Sequence, residues 1–293
     1  MKGKIFAVLL FVVLINVSLI FVVQPQPQGL SKGGSSAQPW DIYLGKASTP
    51  QASKGIIATG VVSESTAKKY AIIIGIADYK GTINDLNYCD DDAQDFNNVL
   101  LNKYGWEKNQ ITLLINGEAT KTAIFEAIDD VTKKAKENDE VIFFYSGHGG
   151  NSNHDADYDE EKRDECIVPW EDSFDSLIWD GELKEAFEDC LSKRIMFYFD
   201  CCYSGGMTDL AGEGRLICMA CRENQLSVET SPWEIWENGQ FTYYFVEEGM
   251  STDKADVNND GMVTFEEAFD YAKANCLRQT PTANDNFTYD MLP

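Results

Sequence analysis

Two histidines occur in 293 residues, and one of them, His148, stands between glycines in the stretch FFYSGHGG. An imidazole can take a proton from a thiol near neutral pH and return it to a leaving amine. A thiol becomes a useful nucleophile there when a base or a positive charge assists its ionisation. Candidate thiols stand in FDCCYSGG, where Cys201 and Cys202 are adjacent. Gly147 and Gly149 would let a substrate backbone approach closely, and the amides of Gly149 and of the nucleophile could donate to one oxyanion. His154 lies in the acidic stretch NSNHDADYDEEKRDE and reads as a solvated residue.

The elements around these stretches must bring them together. YAIIIGI (residues 70–76) is a continuous apolar run of the kind expected in a strand covered on both faces. DDAQDFNNVLLNKYG carries Ala93, Phe96, Val99 and Leu100 on one helical face, with Gly105 as a stop. ITLLI is a second strand, and Thr120 can cap the helix TKTAIFEAIDDVTKKAKE. EVIFFYSG reads as a third strand, GELKEAFEDCL as a helix, RIMFYFD as a fourth strand and RLICMA as a fifth. This alternation predicts an α/β fold with a mainly parallel sheet and helices on both faces. Sites in such sheets lie beyond the carboxyl ends of the strands. SGHG follows the third strand and CYSG the fourth, so if those strands are neighbours, a spacing of about 4.8 Å brings His148 and a cysteine into reach.

YSGHGG together with FDCCYSGG resembles the paired signature of caspase-like cysteine peptidases, and among them the metacaspases and their prokaryotic relatives. The resemblance runs over about residues 69 to 276. It implies a caspase-hemoglobinase-like three-layer sandwich around an about six-stranded sheet, and cysteine endopeptidase activity. His148 would be the general base and Cys202, two residues after Asp200 and two before Ser204, the nucleophile. Tyr203 stands where many metacaspases have His. The resemblance further implies a specificity pocket drawn from Cys89, Asp92, Ser146 and Asp200. Two carboxylates facing a partly desolvated slot favour a guanidinium or ammonium, so cleavage after Arg or Lys is expected. Alone, each acid would read as a helix cap or a solvated charge.

ADVNNDGMVTFEEAF is an independent motif. Asp256, Asn258, Asp260, Met262 through its carbonyl, Thr264 and Glu267 fall on the ligand positions of a twelve-residue EF-hand-like calcium loop over residues 256–267, with Gly261 at the sharp turn. Calcium is the one cofactor expected, and an ion here would mainly staple the last helices. Calcium-dependent metacaspases use another acidic cluster, which the resemblance carries to Asp164, Asp180 and Asp209. Gly181 stands where those relatives usually have a second adjacent acid. Lys162 and Arg163, between the two motif blocks, and Lys68 and Lys69, before the first strand, suit self-processing after basic residues.

Composition bounds the remaining roles. A net charge of -24 repels nucleic acid and anionic lipid and suits cationic peptides or metal ions. Residues 1–23 carry Lys2 and Lys4 before an apolar run long enough to span a bilayer, which reads as a membrane anchor or a secretory signal. Either would put the rest of the chain outside the cytoplasm. Residues 24–66, rich in Gln, Pro, Gly and Ser, read as a flexible linker, leaving 67–293 as the peptidase domain, expected to be a monomer. Two other readings compete: a catalytically silent, membrane-tethered calcium-binding or interaction module on the same fold, and a thiol-redox or metal protein built on Cys201, Cys202, Cys218 and Cys221.

Overall fold

A computed structural model of the chain describes residues 67–152, 163–229 and 237–293. The N-terminal anchor or signal, the linker, His154 and Lys162 lie outside the described residues. In chain order the main elements are β1 (Lys69–Gly75), α1 (Cys89–Lys103), β2 (Ile111–Ile115), α2 (Lys121–Lys134), β3 (Glu140–Ser146), β4 (Gly149–Ser152) and β5 (Asp164–Ile167). There follow β6 (Ile178–Trp179), α3 (Asp180–Ala186), β7 (Ile195–Asp200), β8 (Arg215–Met219), α4 (Gln240–Thr242) running into a π-helix (Tyr243–Ser251), α5 (Phe265–Asn275) and β9 (Thr282–Asp285).

Six strands form one sheet in the order β2-β1-β3-β7-β8-β9, parallel throughout except for the antiparallel β8–β9 pair. The apolar runs are continuous because both faces are covered. On one face Ile73, Phe144 and Tyr198 pack against Phe96 and Leu100 of α1, Phe245 of the π-helix and Phe265 of α5. Rings stack across that layer, with centroids 4.6 Å apart for Phe96 and Phe144, 4.5 Å for Phe144 and Tyr198, and 4.9 Å for Tyr198 and Phe241. On the other face Ile72, Phe143 and Phe197 meet Ile124 and Ile128 of α2 and Leu183 of α3. The Thr120 hydroxyl accepts from the Ala123 amide as the cap of α2, and Thr264 caps α5 through the Glu267 amide.

Three features differ from the sequence expectation. The helix expected over GELKEAFEDCL ends at Ala186, and the Arg215 guanidinium takes the Phe187 carbonyl at 3.1 Å. β9, spelled TAND, is too short and polar to show a strand period, but it covers the edge of β8. A second, three-stranded antiparallel sheet, β4-β5-β6, grows from the segment after His148, and the GGNS of β4 gives no strand signal.

The end of β1 depends on a glycine. A Cβ on Gly75 would lie 2.4 Å from the Cys89 carbonyl oxygen and 2.5 Å from the Ala93 Cβ, so α1 rests directly on that backbone. Gly75→Ala is therefore expected to destabilise the domain by about 1–3 kcal/mol, read as a lower midpoint in urea unfolding.

Candidate active site

β3 and β7 are parallel neighbours in a register that pairs Phe144 with Tyr198 and Ser146 with Asp200. The pairing continues one step past the strands, where the Gly147 amide donates to the Asp200 carbonyl at 3.2 Å. His148 and Cys202 each stand two residues beyond the last pair. The two turns touch, since a Cβ on Gly149 would lie 2.2 Å from the Cys202 carbonyl oxygen.

Strand alternation separates the two adjacent thiols. Cys201 continues the face of Phe197 and Phe199, is 1% exposed, and packs in the layer under α2 and α3. Burial pushes its thiol well above the ordinary range, with neighbouring Cys221 and Cys202 adding to the shift. Cys202 is half-buried, with Sγ 3.9 Å from the Ser227 carbonyl oxygen. Burial also raises its thiol, so its ionisation calls for a base. Tyr203 follows in a left-handed conformation (φ 62°), held by its amide on the Gln225 carbonyl at 2.8 Å. Cys218 is buried in β8, and the Sγ of Cys221 lies 3.4 Å from the Cys201 carbonyl oxygen, beneath the same turn. All eight cysteines are free thiols.

The imidazole is fixed by groups the sequence did not single out. His148 Nε2 lies 2.7 Å from the Asn84 carbonyl oxygen, and because a carbonyl only accepts, Nε2 carries the proton. That leaves Nδ1 as the basic nitrogen. The Tyr79 ring packs on the imidazole with centroids 4.9 Å apart, and its hydroxyl oxygen accepts the His148 amide at 2.7 Å. Tyr145 Oη lies 2.7 Å from the His148 carbonyl oxygen and 2.9 Å from that of Val168, and can donate to either. Gly147 makes room for both hydroxyls, since a Cβ there would meet them at 2.6 and 2.8 Å. The Val168 amide donates to the His148 carbonyl at 3.1 Å, so the ladder between β4 and β5 brackets Gly149 without using its N–H.

The four expected pocket residues converge on the α1 side of the sheet. Ser146 Oγ donates to Asp92 Oδ2 at 2.7 Å, and Cys89 opens α1 one turn before Asp92. Asp92 is fully buried and Asp200 4% exposed. Each is held by neighbours the sequence did not reveal. The Gly239 amide donates to Asp92 Oδ1 at 3.0 Å. Ser227 Oγ donates to Asp200 Oδ1, and the Thr242 amide and hydroxyl donate to Asp200 Oδ2 at 3.0 and 2.8 Å. A Cβ on Gly239 would lie 2.5 Å from Asp200 Oδ2 and 3.0 Å from Asp92 Oδ2, so the two carboxylates flank one glycine. Burial raises the pKa of Asp92, with the charge of Asp200 next; burial is also the main cause raising Asp200.

The acidic candidates fall differently. Asp164 and Asp180 are buried, while Asp209 takes the Lys184 ammonium at 2.9 Å. In the 256–267 loop, Asp256 accepts the Asp260 and Gly261 amides, Asn258 accepts the Asp260 amide, and Asn258 Nδ2 donates to Glu267 Oε1 at 3.0 Å. Asp260 accepts the Met262 amide, and Thr264 donates its amide to Glu267 Oε2 at 3.1 Å. Among the described residues no group of three or more His, Cys, Asp or Glu is gathered to hold one ion. Lys69 opens β1 with its ammonium on the Pro293 carbonyl oxygen and over the Trp106 ring, and the Lys68 amide donates to Asp139. Arg163 directly precedes β5.

Residues 69–211 match the family described as "Metacaspase, peptidase C14 domain". Over this part the chain is similar to metacaspases. Metacaspase-1 of Saccharomyces cerevisiae strain YJM789 is 34% identical over 157 residues, covering 50% of this chain and 36% of that protein. Metacaspase-1 of Cryptococcus neoformans is 31% identical over 195 residues, covering 64% of this chain and 38% of that protein. The chain thus matches well under half the length of these curated metacaspases. In fold it resembles the crystal structure of protein GSU0716 from Geobacter sulfurreducens, with a TM-score of 0.56 and 19% identity over 74% of this chain and 92% of that one. The matched segment, described as a peptidase domain, contains both His148 and Cys202.

The buried acid pair makes a stability prediction. Below about pH 3.9, the unfolded carboxyl value, both states of Asp92 are protonated. Above it the unfolded chain ionises while the buried group holds its proton, so stability falls with rising pH until Asp92 itself ionises. Asp92→Asn removes the ionisable group and keeps an acceptor for the Gly239 amide. It is expected to flatten this fall and to stabilise the domain at pH 7 by about 1 kcal/mol or more, measured by urea unfolding between pH 4 and 8.

Proposed function

We propose that the chain is a cysteine endopeptidase that hydrolyses peptide bonds after Arg or Lys, with Cys202 as nucleophile and His148 as general base. One observation carries this reading: a half-exposed thiol and an imidazole with Nδ1 left basic follow neighbouring strands, with the carboxylates of Asp92 and Asp200 buried beside the same strand ends. A guanidinium or ammonium entering there would meet the Asp92 and Asp200 charges, whereas an aspartyl side chain would be repelled.

The chemistry follows from the groups present. Cys202 Sγ gives its proton to His148 Nδ1 and adds to the scissile carbonyl, forming a C–S bond. The carbonyl oxygen becomes an oxyanion, with the amides of Gly149 and Cys202 as its donors. Collapse breaks the C–N bond, and the leaving amine takes the proton from Nδ1. Water, losing a proton to Nδ1, then adds to the thioester and releases the acid and the thiol. Throughout, the Asn84 carbonyl holds Nε2–H and stabilises the imidazolium.

Calcium is the ion that the 256–267 loop suits, through the carboxylates of Asp256, Asp260 and Glu267, the side-chain oxygen of Asn258, the Met262 carbonyl and Thr264. Asn258 and Glu267, the third and twelfth loop positions, meet across the loop, and an ion there would brace α5 against the π-helix. The set Asp164, Asp180 and Asp209 fits less well, because Lys184 neutralises Asp209 and Gly181 brings no carboxylate. Self-processing suits the segment ending at Arg163 better than Lys69, which is built into β1. Substrates are proteins or peptides with basic residues, acting on a monomer, and the apolar run at 5–23 supports an extracytoplasmic, membrane-anchored or secreted enzyme.

Fluorogenic peptides with Arg, Lys or Asp before the scissile bond test the reading. Turnover is expected with Arg and Lys only, no activity in Cys202→Ala, and a loss of about 10- to 100-fold in kcat/KM for Asp92→Asn. Calcium is expected to raise the melting temperature, and Glu267→Gln to weaken that shift. Cleavage after Asp alone, or full activity in Cys202→Ala, contradicts the proposal.

A further inference from the structure

Helix α1 carries Cys89 and Asp92 to the slot, yet its own sequence does not cap it. Tyr88 at the cap position offers no side-chain bond to the first turn, which holds Asp90, Asp91 and Asp92. The acceptor comes from 141 positions further along the chain. Glu229 Oε1 accepts the Asn87 amide at 3.1 Å and the Tyr88 amide at 3.0 Å. Its Oε2 accepts the Asn87 amide at 3.2 Å and Asn87 Nδ2 at 3.0 Å. The same carboxylate faces Cys89, with Sγ 3.6 Å from Oε1.

Glu229 is itself held beside the two buried acids. Its backbone bridges to Gly239, whose amide binds Asp92, and its carbonyl accepts from Arg278 Nη2 at 3.3 Å. Two residues earlier, Ser227 donates to Asp200 and presents its carbonyl to Cys202 Sγ. One short segment therefore touches the nucleophile, one pocket acid and the turn that carries the other. A further carboxylate here has an electrostatic cost: after burial, the charge of Glu229 is among the causes that raise Asp200 and Cys89. Its return is geometric, since it ties the entry to α1 to the segment that follows β8.

We infer that Glu229 is a positioning residue of the specificity slot, clamping the first turn of α1 so that Cys89 and Asp92 stand opposite Ser146 and Asp200. This rests on the basic specificity proposed above. Glu229 does not reach the scissile bond, and its loss should weaken substrate binding more than turnover.

The test uses the full chain as wild type, Glu229→Ala and Glu229→Gln, with a peptide carrying Arg before the scissile bond, and hydrogen exchange of backbone amides beside the kinetics. Glu229→Ala is expected to raise KM about tenfold or more with kcat within about threefold. Glu229→Gln, which keeps an acceptor oxygen for the Asn87 and Tyr88 amides, should bring KM back to within about threefold of wild type. Amides of residues 87–92 should exchange faster in Glu229→Ala while those of β3 and β7 keep their protection. Unchanged KM, no rescue by Gln, or protection lost throughout the sheet overturns the clamp. A wild type that cleaves no basic peptide sinks the proposed specificity instead; unchanged exchange at residues 87–92 then overturns the clamp as well.

Discussion

The parallel pairing of Ser146 with Asp200 decides which face of the sheet each reacting group meets. Side chains alternate along a strand, so Ser146 and Asp200 share the α1 face with Phe144 and Tyr198, while Tyr145 and Cys201 face the opposite layer. A slip of one residue would put a wall of the slot into the α2–α3 core and expose an aromatic side in its place. The stacked Phe96, Phe144, Tyr198 and Phe241 rings lock this register, because each fills space that the next ring needs. His148 and Cys202 inherit their positions from that packing, two residues beyond the last pair on each strand.

The slot carries an energetic tension. Asp92 and Asp200 are buried together, and each is held by neutral donors: Ser146, Gly239, Ser227 and Thr242. Neutral hydrogen bonds lower the cost of a buried carboxylate without removing the repulsion between two of them. Under the proposed specificity, a substrate cation would relieve both costs at once. Aromatic layers on both faces of the sheet supply the stability against which this local cost is set.

The sequence showed the chemistry more clearly than its supports. YAIIIGI, EVIFFYSG and RIMFYFD could be read as strands covered on both faces, and the two motif blocks fell at their ends because parallel sheets gather sites there. The resemblance also pointed to Cys202 rather than Cys201, and alternation past β7 buries Cys201 while leaving Cys202 half-exposed. Asn84, Tyr79, Ser227, Gly239 and Glu229 were not legible, since each acts through a backbone group or a contact between distant segments. A carbonyl that orients an imidazole leaves no mark on residue type. β4 and β9 were missed for a related reason: GGNS and TAND are polar and short, and pairing partners rather than propensity make them strands. The ion pair of Lys184 with Asp209 was likewise not legible, since it joins α3 to a residue beyond β7.

In the proposed mechanism one thiol, set by strand register beside two buried carboxylates, performs the chemistry. Covalent capture by an arginyl chloromethyl ketone, followed by peptide mapping, tests this directly, because the guanidinium must enter the slot before a thiolate can displace chloride. The prediction is a single adduct on Cys202 Sγ, suppressed in His148→Ala and slowed in Asp200→Asn. An adduct on Cys201, or labelling of Cys202 at the same rate by an aspartyl analogue, would contradict it.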